Sequence, residues 1–167
     1  EKSFETEAHA ERLVAISTRI GREMGLDSLE IDKLHLLSLT HDIGKIIIPD
    51  PILNKPGRLT DEEWAVMRTH TEIGFRIAAA SPGLSVIAEA ILSHHERWDG
   101  TGYPRSLAGE AIPLSSRILA VADAFDAMIT ERPYRKPMPV RDALAEIERC
   151  AGSQFDPAVA EVFLGMA

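Results

Sequence analysis

The chain has 167 residues, 45% of them hydrophobic and 26% charged, with 26 acidic residues against 18 basic ones and a net charge of −8. This size and composition fit one globular domain able to bury a core. The acidic balance argues against long nucleic acid, which requires an extended basic surface to neutralise its phosphates. Apolar runs are only a few residues long, so no membrane-spanning segment is expected. The single cysteine, Cys150, excludes an intrachain disulfide and agrees with a reducing compartment. No charged-then-apolar leader opens the chain, so the expectation is a cytoplasmic protein.

Apolar residues recur at helical spacing almost throughout, with no sustained two-residue alternation. A first helix is predicted from about Ser3 to Met24, with Leu13, Ile16 and Ile20 on one stripe and Gly25 as its stop. The second follows Asp27 and carries Ile31, Leu34 and Leu37 toward His41. The segment Ile46-Ile47-Ile48-Pro49 breaks the period and leads into a loop through Pro51, Pro56 and Gly57. Thr60 and Glu63 have capping-box spacing at the head of a third helix, which runs through Met67, His70, Gly74 and Ile77 to Ser81-Pro82-Gly83. The fourth runs from Leu84 to about Glu96. A long loop, Arg97 to Pro113, is rich in Gly and Pro, and a loop of that length in a small domain is usually functional or disordered. Leu114 to Thr130, Val140 to Cys150 and a segment capped by Asp156, with Pro157 in its first turn, complete the pattern. The reading is a single all-α bundle of about seven helices.

Histidines and aspartates fall on, or beside, the stripes that should face the core. Glu5, His9, Leu13 and Ile16 lie at i, i+4, i+8 and i+11. His41 stands seven residues after Leu34, with Asp42 next to it. His70 sits between Met67 and Gly74, His94 and His95 close the fourth helix, and Asp123 stands four residues after Leu119. One buried His or Asp is ordinarily satisfied by hydrogen bonds. Ligand-type groups on five helices form a polar cluster that would be costly to bury without something to satisfy it, and a polynuclear metal site does so. His9, His41, Asp42, His70, His94, His95 and Asp123, with Glu5, are too many donors for one ion with an open position. Helical neighbours point about 100° apart, so His94 and His95 suit different ions better than one. Asp42 can lend one oxygen to each of two ions. Two ions roughly 3.5–4 Å apart form a clamp for phosphoryl chemistry, activating water and stabilising the leaving oxygen. Imidazole and carboxylate without thiolate favour divalent iron, manganese or another octahedral ion over structural zinc. His35, on another helix face, reads as a structural or surface residue.

At His41-Asp42-Ile43-Gly44-Lys45 and at His94-His95-Glu96-Arg97-Trp98-Asp99-Gly100-Thr101-Gly102-Tyr103-Pro104, the sequence resembles the HD-GYP family, a subgroup of the HD phosphohydrolases. Pro49 to Leu59, Ala120 to Ala127, Arg132-Pro133-Tyr134-Arg135 and Phe155-Asp156-Pro157 resemble its other blocks, so the likeness runs through the whole chain. It implies a helical bundle of the HD-domain type whose centre holds two or three metal ions and cleaves c-di-GMP to pGpG or onward to GMP. Position by position, it implies metal ligation by His9, His41, Asp42, His70, His94, His95 and Asp123, with Glu5 serving a third ion. Frayed helix 1, leaving Glu5 in water, is the alternative there. Asp42 and Lys45 match catalytic positions, Lys45 near the scissile phosphate. Tyr103, Arg132 and Arg135 match positions that hold the dinucleotide; Arg135 stands where some members have lysine, which keeps the charge but changes the hydrogen-bond geometry.

Elementary chemistry agrees with these roles. Lys45 would add a point charge where negative charge builds, and Arg132 or Arg135 could pair with the second phosphate. Tyr103 could stack a guanine or pack the loop onto the bundle; Trp98 reads as packing. Two other classes of function remain: a catalytically inactive module that senses c-di-GMP or docks a partner, marked by lost ligands, and a phosphohydrolase of another nucleotide such as cGAMP. No ligand position is lost. The chain opens at Glu1-Lys2, without an initiator Met, almost directly into the ligand-bearing helix. The expectation is therefore a domain cut from a longer protein, with an upstream regulatory domain and, by resemblance, a GGDEF-type protein partner.

Overall fold

In the computed structural model, which describes residues 7–131 and 136–166, the stripe through His9, Leu13 and Ile20 becomes the buried face of α1 (Glu7–Glu23). Gly25 ends this helix in the left-handed region, at φ 78°. Its amide donates to Arg22 O and the Leu26 amide to Gly21 O, a pairing that satisfies the last carbonyls. Asp27 then caps α2 (Ser28–Thr40), accepting from the Glu30 amide at 2.9 Å. The two helices approach closely because Gly21 has no side chain: a Cβ there would lie 2.7 Å from Leu34 Cδ1.

Beyond α2 the chain makes a 3-10 turn over Ile43–Ile47 and a short α3 (Asp50–Leu53), where Pro51 is tolerated in the first turn. The Thr60–Glu63 capping box forms at the head of α4 (Asp61–Arg68). The helix predicted to run on to Ile77 instead breaks at Thr69 and resumes as α5 (His70–Ala79). At the break the Thr69 amide reaches Val66 O, while Thr69 Oγ1 and His70 Nδ1 bond the carbonyls of Val66 and Met67 at 2.7 Å each. The Thr69 hydroxyl thus adds a second donor to Val66 O, and the His70 ring supplies one to Met67 O at the interruption. The predicted fourth helix starts as a 3-10 turn, Ser85–Ile87, and its α-helical part, α6 (Ala88–Ser93), stops short of His94. A loop carrying one isolated bridge, Asp99 to Ala108, leads to α7 (Leu114–Ile129), α8 (Val140–Cys150) and α9 (Pro157–Gly165). Asp156 caps α9, accepting from the Ala158 amide.

α7 divides the core. Its Ile118 and Val121 pack with Ile20, Leu34, Ile147 and Phe163, and its Leu119 and Ala122 with Leu13, Leu37, Ala78 and Ile91. A helix buried on both sides must be apolar nearly all round, as Ile-Leu-Ala-Val-Ala is. Each fully buried Leu or Ile contributes about 1.5–3 kcal/mol. The all-helical bundle expected from the periodicity is therefore the fold, with the extra short helices arising at Pro51 and Thr69. Among the described residues no helix is long and apolar enough to cross a membrane. His9 near the start of α1, His41 at the end of α2, His70 at the start of α5 and His94 at the end of α6 meet at one end of the bundle.

Candidate metal centre

The 3-10 turn after α2 presses onto α5. A Cβ at Gly44 would lie 1.9 Å from the backbone oxygen of His70 and 2.6 Å from Gly74 N, so only glycine lets the turn sit there. That approach brings Asp42 to the His70 ring: His70 Nε2 stands 3.2 Å, and His94 Nε2 3.7 Å, from Asp42 Oδ1. His95 joins them, and the ligand atoms of Asp42, His70, His94 and His95 lie within 4.8 Å of one another. A second group, His9, His41 and Asp123, has the same compactness. Asp42 lies between the two, its other oxygen, Oδ2, being 3.4 Å from His41 Nε2.

His94 and His95 thus share one group, contrary to the expectation that they serve different ions. Their ring centroids are 4.1 Å apart. The 100° separation holds only within a helix, and α6 ends at Ser93, leaving both residues in the turn beyond it.

The donor atoms are oriented from behind. His70 Nδ1 donates to Met67 O at 2.7 Å and His94 Nδ1 to Ile91 O at 2.6 Å. With the protons on Nδ1, both Nε2 atoms present lone pairs, yet they face each other at 3.4 Å and converge on Asp42 Oδ1. Lone pairs gathered on a carboxylate oxygen repel one another unless a cation lies among them. Asp42 Oδ1 and Asp123 Oδ1 are buried and accept no hydrogen bond from the described residues. Burial lowers His94 below the usual imidazole range against the pull of Asp42, and lowers His95 further with help from His94 and His70. Burial pushes the Asp42 carboxyl up, but the surrounding imidazoles, His41 foremost, outweigh it and hold it well below the usual carboxylate range. Imidazoles driven toward the neutral form, as His94 and His95 are, beside an ionised carboxylate are in the protonation states that divalent ions bind. The residues fit a metal centre.

Residues 1–159 match the family model of the HD domain. The chain belongs to the HD domain family. Within it the paired motifs are those of the HD-GYP type. This HD domain is 50% identical over 165 residues to a cyclic di-GMP phosphodiesterase of Thermotoga maritima, covering 98% of this chain and 45% of that protein. It is 41% identical over 165 residues to a 3'3'-cGAMP-specific phosphodiesterase of Vibrio cholerae, covering 98% of this chain and 32% of that one. A crystal structure of a cyclic GMP-AMP specific phosphodiesterase from V. cholerae superposes with a TM-score of 0.74 at 25% identity, over 97% of this chain and 44% of that one. The chain spans less than half the length of these relatives.

The GYP loop of this HD domain closes over the His94–His95 turn. A Cβ at Gly102 would lie 2.4 Å from Arg97 N and 2.6 Å from His95 O. Tyr103 donates its amide to His95 O and stacks its ring on the His95 imidazole, centroids 4.9 Å apart at 26°. Burial, with Asp42 nearby, raises the Tyr103 phenol above its ordinary value, so it stays protonated. Beside the ring opens a cavity of about 420 Å³ lined by His94, His95, Asp123, Tyr103, Arg68 and Gln154, among others. Lys45 Nζ meets Asp42 Oδ2 at the edge of the cluster. His35 is exposed, and Trp98 packs under the Arg117 guanidinium.

Glu5, Arg132 and Arg135 lie outside the described residues. Sequence reasoning missed two carboxylates. Asp126, fully buried, accepts from His9 Nδ1 and from Arg12. Glu96, also buried, accepts the amides of Arg105 and Leu107 and so ties the GYP loop down. Their signal was adjacency: Asp126 follows Asp123 by three residues, one turn along the same helix face, and Glu96 follows the double His directly.

Proposed function

We propose that this HD domain is the catalytic part of a metal-dependent phosphodiesterase that hydrolyses c-di-GMP to pGpG or onward to GMP. The carrying observation is the convergence of His70 Nε2 and His94 Nε2 on Asp42 Oδ1 beside the His9–His41–Asp123 group. In this reading His9, His41 and Asp123 would hold one divalent ion and His70, His94 and His95 a second, with Asp42 available to both. Glu5 would serve a third. A nitrogen and oxygen donor set without thiolate favours iron or manganese. Ions bound there supply an activated water and neutralise the phosphate oxygens.

The chain's own groups do the rest. Asp42, held ionised, keeps the imidazoles aimed. Lys45 sets a positive charge beside Asp42, where charge builds on the phosphate in the transition state. Tyr103, Arg132 and Arg135 hold the dinucleotide, Tyr103 at the cavity wall and the two arginines on the strength of the family likeness. The relative at 50% identity supports c-di-GMP as substrate; the one at 41% identity, named for cGAMP, supports a second reading in which cGAMP is cleaved. The greater length of both supports a further, regulatory domain in the same protein.

The test is incubation of iron- or manganese-loaded protein with c-di-GMP, cGAMP and pGpG, with chromatography of the products and elemental analysis of the same sample. Hydrolysis of c-di-GMP, lost together with metal in Asp42→Ala, is the expected result. A fully metal-loaded protein inert toward every cyclic dinucleotide would overturn the reading.

A further inference from the structure

Among the described residues two arginines line the 420 Å³ cavity beside the metal centre, and they differ in what they touch. Arg97 is engaged by Thr101 and Asp99. Arg68, at the last turn of α4, meets no carboxylate and donates no side-chain hydrogen bond among the described residues. Its guanidinium lies over two rings instead, 5.1 Å from the Tyr103 centroid and 6.0 Å from that of Trp64, one turn earlier on the same helix. Trp64 is 44% exposed, an indole that the core does not claim. From the ligand His95 the contacts therefore run to Tyr103, from Tyr103 to Arg68 and from Arg68 to Trp64. Rings hold the guanidinium while its N–H donors remain unused at the cavity wall.

We propose that Arg68 reads a guanine of the cyclic dinucleotide, which makes it a specificity-determining residue; the assignment rests on the phosphodiesterase reading above. A phosphate already has a cation in Lys45, which stands against Asp42. The Arg68 guanidinium is held against Tyr103, the ring that stacks on the ligand His95, so a base lying along that aromatic wall comes within its reach. An exposed indole next to it suits a flat base, since stacking on aromatic rings is favourable and indifferent to sequence. Its ring face carries the negative side of the aromatic quadrupole and does not attract a phosphate. The discrimination then comes from the guanidinium, which has donors only. Guanine presents two acceptors side by side, N7 and O6, and takes both prongs. Adenine presents one acceptor and the N6 donor, and takes one.

The test compares metal-loaded wild type, Arg68→Ala and Arg68→Lys. The readouts are KM and kcat for c-di-GMP, inhibition or cleavage of c-di-AMP, and calorimetric binding of the phosphorothioate analogue of c-di-GMP. Arg68 is exposed at a helix end, so both variants should fold. Arg68→Ala should raise KM for c-di-GMP about 10- to 100-fold, the usual size of one bidentate base contact, with kcat little changed and c-di-AMP little affected. Arg68→Lys should do the same, because an ammonium cannot make the two-pronged contact. Rescue by lysine, or equal weakening of c-di-AMP, would make Arg68 a phosphate contact and overturn the assignment. Wild type active on c-di-GMP with an unaltered Arg68→Ala variant would sink the Arg68 role alone. Wild type that neither binds nor cleaves any of these ligands would sink the phosphodiesterase reading and this one with it.

Discussion

His9 Nδ1 donates to Asp126 Oδ2 at 2.6 Å, and Asp126 is fully buried while doing so. Arg12 closes the other side of the same carboxylate with two guanidinium contacts. Burial pushes the Asp126 carboxyl up, and the hydrogen bonds from Arg12 and His9 more than reverse it, so it stays ionised. An ionised carboxylate behind an imidazole fixes the proton on Nδ1 and turns Nε2 toward Asp123, 3.7 Å away.

From this follows the first prediction. Asp126→Asn should weaken metal binding at the His9 group by about 10- to 100-fold, the usual effect of losing such a partner, and leave the Asp42–His70–His94–His95 group loaded. Chelator competition, read by elemental analysis, measures it. Unchanged affinity at both groups would mean that Asp126 serves folding alone.

Lys45 touches Asp42 but belongs to neither ligand group. Its change to Ala should lower turnover by about 10²–10³-fold, the loss expected for one electrostatic donor, with metal content intact. Loss of metal in that variant would assign Lys45 to holding Asp42 in place instead.

Gly44 carries the approach of the Asp42 turn to α5, with His70 O at 1.9 Å from where a Cβ would stand. Backbone cannot yield as a flexible side chain would. Gly44→Ala should therefore destabilise the fold by about 1–3 kcal/mol, the range for overpacking, and impair hydrolysis by moving Asp42 and Lys45. A denaturation midpoint equal to that of wild type would show that the turn adapts.

In the GYP loop, Asp99 Oδ1 accepts from the Thr101 hydroxyl at 2.6 Å and from its amide at 3.0 Å. These bonds, the hydroxyl first, hold the carboxyl at about 2. The folded value lies below the unfolded one of about 3.9. Its stabilising contribution is therefore complete above that unfolded value and is lost as pH falls toward 2. Carbon-detected NMR should find the Asp99 carboxylate still ionised between about pH 5 and 3, where ordinary aspartates titrate. A midpoint near 3.9 would show the loop to be held by other contacts.

The helical period, the Thr60–Glu63 box, the Asp156 cap and the placement of His9, His70 and Asp123 on or beside core stripes were all legible in the sequence. Each depends on residues three to eight apart, and helix geometry alone relates such neighbours. The motifs around Asp42 and Tyr103 were legible as well. The tertiary structure decided what those side chains meet. It put His94 and His95 in one group, because α6 stops at Ser93 and the helical angle between them no longer applies. It broke a continuous apolar period at Thr69, where two side chains donate to the carbonyls of Val66 and Met67. It set Asp126 behind His9 across 117 positions of chain, and Arg68 over the Tyr103 ring. Distances of that kind arise from how α7 and the Gly44 turn pack against their neighbours, and packing between distant segments leaves no periodic trace in either one.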